Sequence, residues 1–231
     1  MKQAQRFEQI TTILHNAGSV VVANLVERLG VSEDTVRRDL RALEKQGHLR
    51  RVHGGATRQG AFPLLYDDRL QFARDQKIEL ARRGLERIEP NQTLLIDGGT
   101  THAELVRQLP RDLPLTIATN SLPLAFQLTD YPAVQLLFLG GEVFKQSKVT
   151  LGAAVIEQLR FLRVDLFFLG AAAVHREVGI QVPHYQEAQV KRAMQRAAAR
   201  TVVLSIREKL TRTEPHVVCP LEEVELMVAQ N

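Results

Sequence analysis

The stretch Val21 to Gln46, VVANLVERLGVSEDTVRRDLRALEKQ, decides how the rest of the chain is read. It holds two amphipathic helical patterns parted by a Gly30-Val31-Ser32 break. Val22 to Leu29 gives the shorter pattern, with Leu25 and Leu29 inward, and Gly30 suits the left-handed conformation that stops a helix. Ser32 is a capping residue whose hydroxyl accepts from a backbone N–H one turn on. In the second helix Val36, Leu40 and Leu43 form one apolar stripe. Glu33, Asp34, Thr35, Arg37, Arg38 and Arg41 are then left on or beside the outer face. A short helix, a tight turn and a basic second helix predict a helix-turn-helix at about residues 20–46, whose second helix enters the major groove of duplex DNA.

Outward from that core, Phe7, Ile10 and Leu14 fall at helical spacing in a first helix ended by Gly18. After Gly47 a short β-type run leads to Gly54-Gly55 and predicts a wing hairpin, with Arg50, Arg51 and His53 placed for contacts to the DNA backbone. The helix N-terminus meets base edges, so Thr35, Arg37 and Arg38 are the candidate readers: arginine pairs bidentately with guanine, and threonine reaches phosphate or a thymine methyl. Ser32 and Arg41 complete the candidate DNA face. His53 has no second ligand at a usable spacing, which argues against a metal site there.

The charge distribution agrees. Of a net charge of +4, residues 1–58 hold ten basic and six acidic side chains, leaving twenty of each sign in the remainder of the 231 residues. All the excess positive charge thus lies in the first quarter, where it suits phosphate. The single cysteine, Cys219, excludes an internal disulfide and a cysteine-based zinc site, and fits a reducing cytoplasm. No apolar run approaches the roughly 18 residues of a membrane span, and no export signal is expected. Neither a cofactor nor a metal is expected.

The length suits a small and a medium domain: 1–58, a connector at 59–76 containing Gly60 and Pro63, and 77–231. After a charged helical pattern from about Asp75 to Ile88, β and α patterns alternate. Apolar runs of strand length occur at Thr93–Ile96, Leu115–Ala118, Val134–Leu139, Val164–Leu169 and Thr201–Leu204, with helical patterns between them. Continuous apolar strands separated by helices predict a mostly parallel sheet covered on both faces. Ligands bind beyond the carboxyl ends of such strands. Polar and glycine residues cluster there: Asp97-Gly98-Gly99-Thr100-Thr101 after the first strand, Thr119-Asn120-Ser121 after the second, Gly140-Gly141 after the third and Gly170 after the fourth. A Gly-Gly-Thr-Thr turn opening a helix offers backbone N–H groups and hydroxyls to a phosphate.

The string VSEDTVRRDLRALEKQGHLRRVHGGA, residues 31–56, resembles the N-terminal signature of the DeoR family of bacterial transcription regulators. The second half resembles the same family in IDGGTT (96–101), ATNS (118–121), LGG (139–141), VDLFFLGA (164–171) and EAQVKRAM (187–194). The resemblance implies an effector domain with the sheet fold of sugar-phosphate isomerases and CoA-transferases, and a phosphorylated sugar or related metabolite as ligand. Asp97, Gly99, Thr100, Thr101 and Asn120 would line its pocket. Glu187 and Lys191, one helical turn apart, would address ligand hydroxyls and phosphate. Lys209 matches the lysine of the family's Asp-Ser-Ser-Lys-like stretch, but Ile206 replaces the aspartate, and Ala172-Ala173 stand where the family has Asp-Gly.

The leading expectation is a metabolite-controlled repressor of a carbohydrate-related operon, in which effector and operator DNA favour different arrangements of the two domains, so that binding one lowers affinity for the other. Two half-sites about 34 Å apart need two recognition helices, so a homo-oligomer, dimer or tetramer, is expected. One alternative is a sugar-phosphate isomerase with an added DNA-binding domain, using Glu187 as base with Asp97 and Lys191 in support. Another is a regulator with a vestigial pocket controlled by a protein partner.

Overall fold

Ser32 has extended backbone (φ −63°, ψ 155°), and its Oγ accepts the Thr35 N–H at 3.3 Å, starting the recognition helix where the capping signal placed it. The computed structural model describes residues 2–17, 19–52, 54–58 and 65–230, which form two units, Met1–Phe72 and Ala73–Asn231. The first contains α1 (Gln3–Ala17), β1 (Ser19–Val21), α2 (Val22–Leu29), α3 (Glu33–Lys45), β2 (Leu49–Val52), β3 (Gly55–Arg58) and α4 (Tyr66–Gln71). Gly30 ends α2 in the left-handed region (φ 62°, ψ 36°), its N–H donating to Val26 O at 3.0 Å.

The predicted stripe is inward. Val36, Leu40 and Leu43 of α3 pack with Ile10 and Leu14 of α1 and with Leu25 and Leu29 of α2, and Leu49 and Ala56 extend the same core into the hairpin. Each such side chain contributes about 1.5–3 kcal/mol by leaving water. Asp39 shares this face, 1% exposed. Arg6 of α1 holds it with two bonds, Nε to Oδ2 at 2.6 Å and Nη2 to Oδ1 at 3.1 Å, and this pairing raises the Arg6 pKa. The wing is a three-stranded antiparallel sheet ordered β1-β3-β2, with Val20 and Arg51 flanking Ala56. β1 was not anticipated: three residues between two helices carry too little periodicity to read. Gly18 and His53 lie outside the described residues.

The second unit contains α5 (Arg74–Leu85), β4 (Thr93–Ile96), α6 (Thr100–Gln108), β5 (Leu115–Thr119), α7 (Leu122–Leu128), β6 (Val134–Phe138), β7 (Glu142–Phe144), β8 (Val149–Leu151), α8 (Ala153–Arg160), β9 (Val164–Phe168), β10 (Ala173–His175), β11 (Gly179–Val182), α9 (Tyr185–Ala197), β12 (Ala198–Ser205), β13 (His216–Cys219) and β14 (Glu225–Val228). Six strands make one sheet in the order β14-β12-β9-β4-β5-β6, and every pairing in it is parallel. Both faces are covered, as continuous apolar strands demand. Leu95, Ala118, Phe167 and Val203 join α8 and α9 in one core. On the alternate residues, Leu204 lies against Gly84 of α5, which also meets Leu105 of α6. β10, β11 and β13 form a separate antiparallel sheet, and β7 pairs with β8.

The strand order reverses between β4 and β9: the chain runs outward from β4 to β5 and β6, then returns to the other side for β9 and β12. In open α/β sheets such a reversal, at the carboxyl ends of the strands, is where ligands bind. Part of the stretch expected as a connector is helical, since α4 spans Tyr66–Gln71 and α5 begins at Arg74. Among the described residues no helix is long and apolar enough to cross a membrane.

Candidate nucleic-acid interface and effector pocket

In the first unit the candidate readers sit on the outer side of α3. Arg38 is exposed, with no carboxylate partner among the described residues. Arg37 is bound by Glu33 one turn earlier, Nη2 to Oε1 at 2.6 Å, in a pair about half exposed on both sides. An exposed pair of this kind is weak enough for DNA to displace. Arg41 donates through Nε to the Arg37 carbonyl at 3.2 Å. Ser32 and Thr35 are partly committed to each other, their hydroxyl oxygens 2.9 Å apart. Arg51 of β2 approaches Glu44 at 3.8 Å, and its backbone N–H donates to the same carboxylate at 2.8 Å, fastening the wing to α3. Arg38, Arg41, Ala42, Glu44, Lys45 and Arg51 line an open concavity of about 460 Å³. Arg50 belongs to β2, whereas His53, the remaining candidate, lies outside the described residues. The sequence reading missed Asp39, although its place between Val36 and Leu40 on the stripe was a signal.

In the second unit Asp97 stands just past β4, 2% exposed, at the reversal of strand order. Its Oδ1 accepts the Gly98 N–H at 2.7 Å and its Oδ2 accepts the Gly170 N–H at 3.0 Å, tying together the ends of β4 and β9. Lys191 of α9 also bonds to Oδ2. The lysine's partner Asp97 is 94 residues away in the chain. A Cβ on Gly170 would stand 2.7 Å from the Asp97 carboxylate, so glycine is required there by close approach. Gly141 has a different reason: a Cβ would meet the Leu151 carbonyl at 2.7 Å, a packing constraint of the β7–β8 hairpin.

Around this pair the other predicted residues converge. Gly99 precedes α6 with no side-chain cap, and Thr100 and Thr101 are buried in the first turn, whose N–H groups face away from the helix ladder. Glu187 is buried in the first turn of α9, one turn before Lys191. Lys209 lies in a short 3-10 turn at Arg207–Lys209 and is close enough to His102 to influence its titration. Ile206, in place of the family's aspartate, is fully buried, and Ala173 opens β10.

Asn120 and Ser121 follow β5. Asn120 donates through Nδ2 to the Thr150 carbonyl at 2.9 Å, and the Ser121 N–H donates to Thr119 Oγ1 at 3.1 Å. Asn120 Oδ1 and Ser121 Oγ nevertheless have no hydrogen-bond partner among the described residues, although these residues are only 1% and 0% exposed. Buried polar atoms left without partners cost about 1–3 kcal/mol each.

His102 was missed by the sequence reading despite adjoining the Gly-Gly-Thr-Thr turn. Its Nδ1 lies 2.7 Å from the Asp97 carbonyl, which only accepts, so Nδ1 carries the proton. Burial pushes its pKa down to about 4, with Asp97 opposing and Lys209 and Lys191 adding to the fall. At neutral pH the ring is therefore uncharged.

A helix-turn-helix with exposed arginines in one unit and a cluster of buried polar groups at the end of a parallel sheet in the other are the parts of a DNA-binding regulator that carries its own sensor. Residues 6–60 match the DeoR-like helix-turn-helix domain and residues 73–231 the DeoR C-terminal sensor domain. The chain belongs to the DeoR family. It is 32% identical to the glycerol-3-phosphate regulon repressor of Haemophilus influenzae, over 92% of this chain and 83% of that one. It is 30% identical to the HTH-type transcriptional regulator GlpR of Haloferax volcanii, over 99% and 90%, and 29% identical to the HTH-type transcriptional repressor GlcR of Bacillus subtilis, over 99% and 88%. Among solved structures, ribose 5-phosphate isomerase A of Methanocaldococcus jannaschii aligns with TM-score 0.44 and 17% identity over 59% of this chain and 54% of that chain. These relatives are named as transcription regulators, and the chain is a regulator rather than an isomerase with an added head.

Proposed function

We propose that the protein represses a carbohydrate-related operon and is released from it by a phosphorylated sugar or similar phosphorylated metabolite bound beyond β4, β5 and β9. The observation that carries this is the pair of buried, unpartnered oxygens on Asn120 and Ser121, beside the Asp97–Lys191 pair at the reversal of strand order. Asn120 Oδ1 accepts a hydroxyl proton and Ser121 Oγ either gives or accepts one, which suits a polyol. The first turn of α6 with Thr100 and Thr101 suits the phosphate. Relatives named for glycerol 3-phosphate support a small phosphorylated ligand. Ile206 and Ala172, each standing where the family has an aspartate, make the pocket less polar than the family pattern, favouring an effector with fewer hydroxyls to satisfy on that side.

On the DNA side Thr35, Arg37 and Arg38 read base edges, while Arg41, Arg50 and Arg51 hold phosphates. Two copies occupy two half-sites. Effector and DNA are coupled reciprocally: whatever factor the effector takes from DNA affinity, DNA takes from effector affinity.

The test is a panel of sugar phosphates and their unphosphorylated parents, scored by thermal shift of the protein and by release from bound genomic fragments. A ligand at a hundred times its Kd stabilises the folded form by about 2.7 kcal/mol. Stabilisation by a phosphorylated compound that also releases DNA supports the proposal. Stabilisation with no release, or none across the panel, refutes effector control through this pocket.

A further inference from the structure

The first turn of α5 is tied to the turn that carries Lys209. Gln76 accepts the Arg207 N–H through Oε1 at 3.1 Å, and its Nε2 donates to the Glu208 carboxylate at 3.0 and 3.2 Å. Arg207 and Glu208 belong to the 3-10 turn that ends in Lys209. Two residues before Gln76, Arg74 approaches Glu104 of α6 at 3.7 Å, one turn on from Thr100 and Thr101. The start of α5 is thus linked to both elements nominated for the phosphate. Ile206, fully buried, anchors the 3-10 turn, and the Lys209 N–H donates to its carbonyl at 3.2 Å. A turn this short has few bonds of its own, so a pull on Lys209 is passed to Arg207 and Glu208. The other end of the tie is a joint. Ala73, the first residue of the second unit and the N-cap of α5, has φ 49° and ψ 42°, a left-handed conformation that residues other than glycine seldom adopt. No side chain among the described residues caps the helix there. A change at that one residue redirects the chain entering α5 from the first unit.

We propose that Gln76 is the positioning residue through which an occupied effector site acts on the DNA-binding unit. An anion that draws Lys209 toward it shifts the 3-10 turn, the turn carries Gln76 with it, and the first turn of α5 resets Ala73. Gln76 is half-buried and Glu208 exposed, so these bonds contribute little to holding the fold and are free to serve as a link. Such a link is measured by the factor by which a bound compound lowers DNA affinity, which can be lost while each affinity by itself remains. The inference rests on the effector reading above, because Lys209 transmits only what reaches it.

The full-length chain is tested on genomic DNA fragments with glycerol 3-phosphate, glucose 6-phosphate and inorganic phosphate, at constant ionic strength. Three quantities are measured: the compound's Kd by calorimetry, DNA affinity without compound, and DNA affinity at saturating compound. Gln76→Ala is expected to leave the first two unchanged and to cut the release factor by about fivefold or more. Glu208→Ala should lose part of that factor, and the double variant no more than Gln76→Ala alone, since both cut one tie. Arg87→Ala, which cuts a 2.9 Å bond to Glu225 just past the other end of α5, is the control and should release DNA as wild type does. Unchanged release in Gln76→Ala, a loss of compound binding as large as the loss of release, or an equal loss in Arg87→Ala overturns the proposal. If none of the three compounds releases wild type, the effector reading fails for them, and amide exchange decides the tie by itself. DNA binding should then alter exchange at residues 207–210 in wild type but not in Gln76→Ala. No alteration in wild type, or the same alteration in both, overturns the link.

Discussion

On α3 the cations stand in water: Arg38 has no carboxylate partner among the described residues, and Arg37 shares only a half-exposed pair with Glu33. Beyond β4 the opposite holds, for the side chains of Lys191 and Asp97 are only 8% and 3% exposed and are bonded to each other. The difference is the one expected of the two ligands proposed above. A duplex is a long array of phosphates, and exposed arginines gain by releasing its counterions without prior desolvation. A small effector is told from its analogues only by groups held still and dry, where an unmatched partner is costly. One unit therefore keeps its charge available, and the other keeps it paired and dry.

The comparison breaks most readily at Lys191. Lys191→Met leaves Asp97 buried without its counter-charge and should cost about 3–5 kcal/mol of stability in urea unfolding. A loss under 1 kcal/mol would mean that the pair is effectively solvated. Next is pH. The unfolded chain protonates His102 near its ordinary 6.5, whereas the folded chain resists until about 4, so the unfolded state holds more protons between those values. Stability from this group is complete above 6.5 and is lost as pH falls toward 4, about 2 kcal/mol by pH 5. His102→Gln should flatten that part of the urea-midpoint profile.

On the DNA side, Arg38→Ala should weaken operator binding by about 1–3 kcal/mol if it reads a base. Equal loss on operator and random duplex reassigns it to phosphate. The smallest effect is expected for Ser32→Ala, about 1 kcal/mol of stability from the lost cap, read in thermal unfolding.

How much of this was legible depended on range. The α2–turn–α3 segment was readable because its signals are local: Gly30, Ser32 and the Val36-Leu40-Leu43 stripe all act within a few residues. The five apolar strand runs were readable for the same reason. β1, β14 and the antiparallel β10-β11-β13 sheet were not, since short segments become strands only through distant partners. In the pocket, Asp97, Asn120 and Lys191 were nominated by position and resemblance, but the bond between Asp97 and Lys191 spans 94 residues and has no local trace. The burial of His102 was hidden for a similar reason.

The sequence alone determined the reading head, its capping, its exposed arginines and the rhythm of buried strands, because helix and strand periodicities are written in nearest neighbours. Tertiary structure alone decided that strand order reverses between β4 and β9, that Gly170 must admit the Asp97 carboxylate, and that two oxygens after β5 are sealed without partners. Those facts come from segments far apart in the chain meeting at one sheet end, where close packing fixes which polar groups are matched and which are not.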